Sequence, residues 1–336
     1  MTGTAPVLQM DDPAGIERAL RHVGWIDGAE RVHDVARAGE GNMNLVVRVR
    51  TSERSLILKQ SRPWVEKYPH IKAPADRIFS EVAFYRAVAS IGSLSSGMPR
   101  LIAFDESGRM ALFEDLGDVR DFTSLYDEPV EEIETLRYLL RWLSTLHGAT
   151  FPGSFRSVLR NRTMRALNHA HLFVIPLDPT SGLDLDRVTP GLARAAEELQ
   201  ANAPYVEAVT ALGAVYLEDG DVLLHGDFYP GSWVRSERGP QVIDPEFAFF
   251  GPAEYDVGVL QAHLMLAGFD DAFLDAALAA YQPLRGFDET LAARFAGMEI
   301  MRRLIGVAQL PLHRTLDEKC ELLQRSEELV LGPRGS

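Results

Sequence analysis

Residues Val222–Asp256 read VLLHGDFYPGSWVRSERGPQVIDPEFAFFGPAEYD, and the fold turns on how this stretch divides. Val222–Leu224 is a brief apolar run, left through His225-Gly226-Asp227, where a glycine permits a tight bend and sets Asp227 on a loop. Trp233–Arg235 and Gln241–Ile243 then read as two short strands, joined by Ser236–Pro240, a run with turn chemistry of hairpin length. In an antiparallel hairpin with that turn Trp233 faces Ile243, so Ser232 and Asp244 become neighbours at the open end. Glu246, two residues further on, alternates to the same side if the backbone stays extended. The expectation is that oxygen ligands converge on one spot.

A loop carboxylate, an oxygen ligand five positions later and a second carboxylate after a hairpin are the parts that phosphoryl transfer by a kinase uses. On that template Asp227 is the catalytic base. Asp244 takes the Mg²⁺-binding position, helped by Glu246 and by Ser232, a hydroxyl where the template has an Asn. HGDFYPGS followed by DPEFAFFGP resembles the aminoglycoside phosphotransferase and choline kinase superfamily. Within it, the Ser and the phrase DPEFAFFGP resemble methylthioribose kinases more than aminoglycoside kinases. The resemblance covers most of residues 35–310 and implies a bilobal, protein-kinase-like α+β fold with a small antiparallel-sheet N-terminal lobe and a mainly helical C-terminal lobe. It does not reach clearly into the region between His147 and His225.

The N-terminal half supplies what such a fold needs for a nucleotide. Val32–Arg37 and Leu45–Arg50 alternate like strands around Ala38-Gly39-Glu40-Gly41-Asn42-Met43-Asn44. That turn lets backbone N–H groups approach phosphates, which makes Gly39, Gly41, Asn42 and Asn44 nucleotide-contact candidates, although a plain hairpin turn reads much the same. In the next strand, Arg54–Gln60, Lys59 shares a face with Ile57 and is the candidate for the α/β-phosphate contact. A helix starting near Asp76 as N-cap buries Ile78, Val82 and Tyr85 and sets Glu81 at the margin of that stripe, as the partner of Lys59. Ser61–Pro74 is long for a strand-to-helix connection and reads either as a substrate cover or as a surface excursion. Pro99–Asp105 and Met110–Glu114 close the small lobe. The resemblance makes Glu114 and Leu116 hinge residues beside the adenine.

From Glu131 to His147 the apolar spacing is helical and opens the large lobe. Helices follow at Glu254–Ala267, Ala272–Tyr281 and Asp288–Leu310. In the last of these, Arg302 falls inside the stripe Leu291, Phe295, Met298, Ile305, so it is buried or cleft-facing. Arg303 has Glu299 four residues earlier for a surface pair. MRRLIGVA resembles the paired-arginine helix at the substrate site of methylthioribose kinases, which makes Arg302 and Arg303 acceptor-site candidates.

The balance of 34 basic against 48 acidic residues, net −14, disfavours nucleic acid or an anionic membrane as partner. A lone cysteine, Cys320, suits a reducing compartment, and no secretory or membrane-spanning segment is apparent, so the expected location is cytoplasmic. Division into residues 1–114, a nucleotide-binding lobe, and 115–331, a catalytic and substrate lobe, leaves 332–336 as a tag remnant or disordered tail. The expected activity is transfer of the γ-phosphoryl of ATP or GTP, with Mg²⁺, to a hydroxyl of methylthioribose or a related ribose, by a monomer or homodimer. An antibiotic-inactivating kinase acting on a nucleoside or aminoglycoside is the alternative substrate class. A nucleotide-binding pseudokinase is the alternative of another kind, opposed by the intact Lys59, Asp227 and Asp244.

Overall fold

The computed structural model describes residues 7–39, 43–129, 132–310 and 312–332. Strands β1 (Val32–Arg37), β2 (Leu45–Thr51), β3 (Ser55–Gln60), β4 (Leu101–Asp105) and β5 (Met110–Glu114) form one antiparallel sheet in the order β1-β2-β3-β5-β4. Period-two alternation divides its side chains between two covers. Leu45, Val47, Val49, Leu56 and Leu58 pack with Ile16 and Leu20 of helix α1 (Pro13–His22). The opposite face, carrying Ile57 and Lys59, belongs to helix α2 (Arg77–Val88) and the core of the C-terminal part. Lys59 stands opposite Val46 on one side and Ala111 on the other, in the middle of the sheet. Asp76 does precede α2, but its carboxylate pairs with Arg109 at 3.1 Å and makes no capping bond.

The C-terminal part is mainly helical: α3 (Ile133–Gly148), α4 (Ala203–Leu217), α5 (Ala253–Ala267), α6 (Glu289–Ile305) and α7 (Leu316–Leu331) enclose its core. Two small strand pairs lie among them. Strand β6 (Val222–Leu224) pairs with β9 (Phe249–Gly251), and the hairpin β7 (Trp233–Ser236) with β8 (Gly239–Val242) pairs with Arg120–Asp121. Among the described residues, no helix is long and apolar enough to cross a membrane.

Three local expectations change. The hairpin is one residue out of the expected register: Trp233 faces Val242, so Ile243, not Asp244, lies across from Ser232 and donates its N–H to the Ser232 carbonyl at 2.9 Å. The loop tightens to Glu237 and Arg238 because Gly239 takes a φ of 97° and turns the chain straight into the return strand. Asp244 then leaves the ladder in the left-handed region, φ 61° and ψ 48°. Helix α6 ends at Ile305, five residues before the expected Leu310, because Gly306 takes an extended conformation. Helix α7 follows beyond the helices the sequence pattern marks, and Thr315-x-x-Glu318 makes a full capping box at its start.

Candidate active site

The loop carrying Asp227 is held from below by Asp256, in the first turn of α5. The backbone N–H groups of His225 and Gly226 donate to its two carboxylate oxygens at 2.7 and 2.9 Å. His147 Nε2 approaches the same carboxylate at 3.3 Å, which accounts for a histidine at the end of a core helix. The His225 ring is buried, and burial lowers its pKa; it is neutral, donating from Nε2 to the Ile243 carbonyl at 3.0 Å. Gly226 has a φ of 84°, and a Cβ there would lie 2.2 Å from the Phe247 carbonyl oxygen. Only glycine lets the loops HGD and DPEF run this close.

The second loop faces the small lobe. Lys59 Nζ sits 2.8 Å from Glu81 and 2.7 Å from Asp244, so one ammonium joins α2, the sheet and the Asp244 loop. Burial alone would pull that ammonium down, yet Asp244 and Glu81 hold its pKa above the usual value. Glu246 is nearly buried. Its Oε2 accepts from Asn44 Nδ2 at 2.7 Å and lies 3.5 Å from Arg77 Nε, which also donates to Asn44 Oδ1 at 2.8 Å. Arg77, wholly inside, further donates to the carbonyls of Arg62, Pro74 and Met43. It thereby pins both the glycine-rich turn and the base of the 61–74 segment, which folds as a two-stranded ribbon, Trp64–Val65 with Tyr68–Lys72. From the other lobe Asn161, itself at φ 46°, donates to the carbonyls of Glu246 and Ala248.

The third part is α6. Arg302 and Arg303 are both buried, so the expected surface pair of Arg303 with Glu299 is corrected to a buried one. Arg302 Nε donates to Glu299 Oε2 at 2.6 Å and Arg303 Nε to Oε1 at 2.8 Å. The Nη2 atoms of both arginines lie 3.6 Å from Asp227 Oδ1. Arg303 Nη2 has no hydrogen-bond partner among the described residues, and its guanidinium lies over the Tyr229 ring, 4.6 Å from the centroid. Burial pushes the Asp227 carboxyl up to about 6, against the pull of Arg303 and Arg302. That places it where a general base works best near neutral pH.

These contacts bring Lys59, Glu81 and Asp244 together, Asn44 onto Glu246, and Arg302 with Arg303 onto Asp227. Gly39 opens the glycine-rich turn with a φ of 77°, while Gly41 and Asn42 lie outside the described residues. Asn44 turns its amide to Glu246 and Arg77. Ser232 is buried, with Ile243 rather than Asp244 across from it. Glu114 ends β5, where Oε2 accepts the Arg100 N–H at 3.1 Å and pairs with Arg238 at 3.2 Å, and Leu116 follows half-buried. Among the described residues no three His, Cys, Asp or Glu side chains cluster to hold a metal by themselves. The donor chemistry nonetheless fits Mg²⁺. Asp244 and Glu246 are hard oxygen donors, Asp244 is 44% exposed, and Mg²⁺ typically takes one or two carboxylates and completes its shell with phosphate and water.

The family model for a phosphotransferase enzyme family (APH) matches residues 34–293. A methylthioribose kinase of Exiguobacterium sibiricum is 28% identical over 94% of this chain and 90% of its own. One from a Geobacillus species, strain WCH70, is 25% identical over 85% and 81%. Among solved structures, AMP-bound spectinomycin phosphotransferase superposes with a TM-score of 0.56 at 13% identity, covering 95% of this chain and 99% of its own. Choline kinase of Cryptosporidium parvum gives 0.55 at 14%, covering 95% and 96%. These share the bilobal fold. With a family match over residues 34–293, this chain belongs to the phosphotransferase enzyme family and is a small-molecule kinase similar in sequence to methylthioribose kinases.

Proposed function

We propose that the chain transfers the γ-phosphoryl group of ATP to a hydroxyl of 5-methylthioribose or a related 5-substituted ribose, with residues 1–114 as the nucleotide lobe and 115–331 as the catalytic lobe. The observation that carries this reading is the pairing of Asp227 with two inward guanidinium groups at 3.6 Å, one with an unused buried N–H. A buried donor without a partner is costly, and an acceptor hydroxyl or a transferring phosphoryl oxygen would satisfy it. Asp227 orients the attacking hydroxyl and takes its proton. Lys59 neutralises phosphate charge from the small-lobe side, and Arg302 with Arg303 fixes the sugar. Asp244 and Glu246 would hold Mg²⁺, which when bound screens the phosphate oxygens from one another.

The test is ADP release over a panel of 5-methylthioribose, ribose, nucleosides and aminoglycosides. Turnover on the 5-substituted ribose, at a kcat/KM at least about tenfold above the other classes, is expected. Preference for an antibiotic or a nucleoside would overturn the substrate, and ATP turnover on none of them would overturn the reading.

A further inference from the structure

Behind the arginine pair runs a chain of buried polar groups that phosphoryl transfer does not itself require. Tyr126, in the short turn Thr123–Tyr126 after the lobe connection, places its hydroxyl 2.6 Å from His263 Nδ1. His263, on α5, places Nε2 2.9 Å from Glu299 Oε1. Glu299, on α6, is the residue that both arginines grip. Tyr126 is 5% exposed, and His263 and Glu299 are wholly buried.

Counting donors fixes every proton. Glu299 already faces two guanidinium N–H groups, so it is a carboxylate that only accepts, and His263 Nε2 must carry a hydrogen. A second hydrogen on Nδ1 would make a third cation beside Arg302 and Arg303 in a buried interior. Burial opposes that charge and lowers the imidazole pKa to about 3. Nδ1 is therefore bare and accepts the Tyr126 hydroxyl. The ring also packs on Tyr229, with centroids 4.9 Å apart and planes tilted by 41°, and Tyr229 carries the Arg303 guanidinium on its face. One imidazole thus sets the carboxylate that the arginines share and the aromatic plane beneath one of them.

A purely structural cluster would gain by being neutral or apolar, since buried ion pairs are often no better than hydrophobic packing. This one holds two cations on a single carboxylate, and the surplus positive charge faces Asp227. We propose that His263, held as its Nε2–H tautomer by Glu299 on one side and the Tyr126 hydroxyl on the other, is a positioning residue that aims Arg302 and Arg303 at the acceptor. The proposal rests on the reading of that pair as the acceptor's contacts.

Three variants test it: His263→Leu removes the donor, His263→Gln keeps an N–H within reach of Glu299, and Tyr126→Phe removes only the hydroxyl. The expected result for His263→Leu is an acceptor kcat/KM lower by about tenfold or more with the ATP KM within about twofold of wild type, for Tyr126→Phe a smaller loss of the same kind, and for His263→Gln recovery of most activity. Equal losses for ATP and acceptor, a fall in melting temperature with unchanged kinetics, or Gln no better than Leu would overturn it. If His263→Leu does not fold, Tyr126→Phe carries the kinetic test. Imidazole ¹⁵N NMR, with the His263 signal assigned by its loss in His263→Gln, gives a readout that needs no acceptor. A neutral Nε2–H tautomer from roughly pH 5 to 8 is expected in wild type, and in Tyr126→Phe as well, because Glu299 still requires the Nε2 hydrogen. An Nδ1–H or doubly protonated ring overturns the positioning role even if methylthioribose is a substrate. The expected tautomer with no sugar turnover sinks the substrate reading, and with it the acceptor-aiming role.

Discussion

Asp227→Asn keeps the shape of the side chain and removes its charge, and the site should answer in two opposite ways. Burial raises the Asp227 carboxyl from 3.8 to about 6. A difference of that size between the folded and unfolded chain means the ionised form costs about 3 kcal/mol of stability. With 23% of the side chain open to water, solvent screening trims this to about 1–2 kcal/mol. The sign follows from proton binding. Between 3.8 and about 6 the folded protein holds the proton that the unfolded chain releases, so stability falls as pH rises through that window. The Asn variant escapes the fall. It should melt about 1–3 °C above wild type near pH 7.5 and at about the same temperature near pH 4, by calorimetric scans on matched buffers. Turnover at neutral pH should drop at least about a hundredfold while nucleotide affinity persists. A variant no more stable than wild type at neutral pH, or one whose advantage survives unchanged at pH 4, would refute the placement of an ionised, partly desolvated carboxylate here.

Asp244→Ala removes one of the two carboxylates on Lys59 and the exposed oxygen donor of the site, so Mg²⁺-dependent nucleotide binding and turnover should disappear together; titration calorimetry showing unchanged Mg²⁺-nucleotide affinity would count against the assignment. Arg302→Met should leave nucleotide affinity intact and lower acceptor kcat/KM about ten- to a hundredfold, with stability reduced by about 1–3 kcal/mol because Glu299 keeps Arg303 and His263; steady-state kinetics and urea unfolding separate the two effects. Asn161→Ala deletes both bonds to the carbonyls of Glu246 and Ala248 and puts a side chain less suited to a φ of 46° at that position. It should cost about 2–4 kcal/mol and raise the KM for the nucleotide, and wild-type unfolding would argue that the DPEF loop is held some other way.

What the sequence made legible was whatever depends on neighbours along the chain. Alternation set Lys59 on one face of its strand, the 3.6 period set Arg302 inside an apolar stripe, and the glycine before Asp227 marked a loop that a Cβ would jam against Phe247. Depth was not legible, because periodicity reports which face a side chain is on and not what lies beyond it. Glu299 is the clearest case. Four residues before Arg303 it has the spacing of an ordinary surface pair, yet it is wholly buried, and only the approach of α5, which brings His263, turns it into the anchor of two arginines. Asp256 is similar: an acid in a first helical turn suits the helix dipole, and only the fold shows it clasping two backbone N–H groups about thirty residues upstream.

The hairpin register was illegible for a different reason. It depends on the backbone of Gly239, and a residue that accepts either sign of φ leaves the turn length open by the one residue that moves Ser232 away from Asp244. Arg77 and Asn161 gave no periodic signal either, because their partners are mainly backbone carbonyls, which every residue possesses. Side chains that act on substrate thus sit in short motifs that can be read locally, whereas those that aim them meet only when segments distant along the chain pack together. A search for further residues of this second kind should begin with charged or amide side chains that fall on the apolar stripe of a helix, as Glu299 and His263 do.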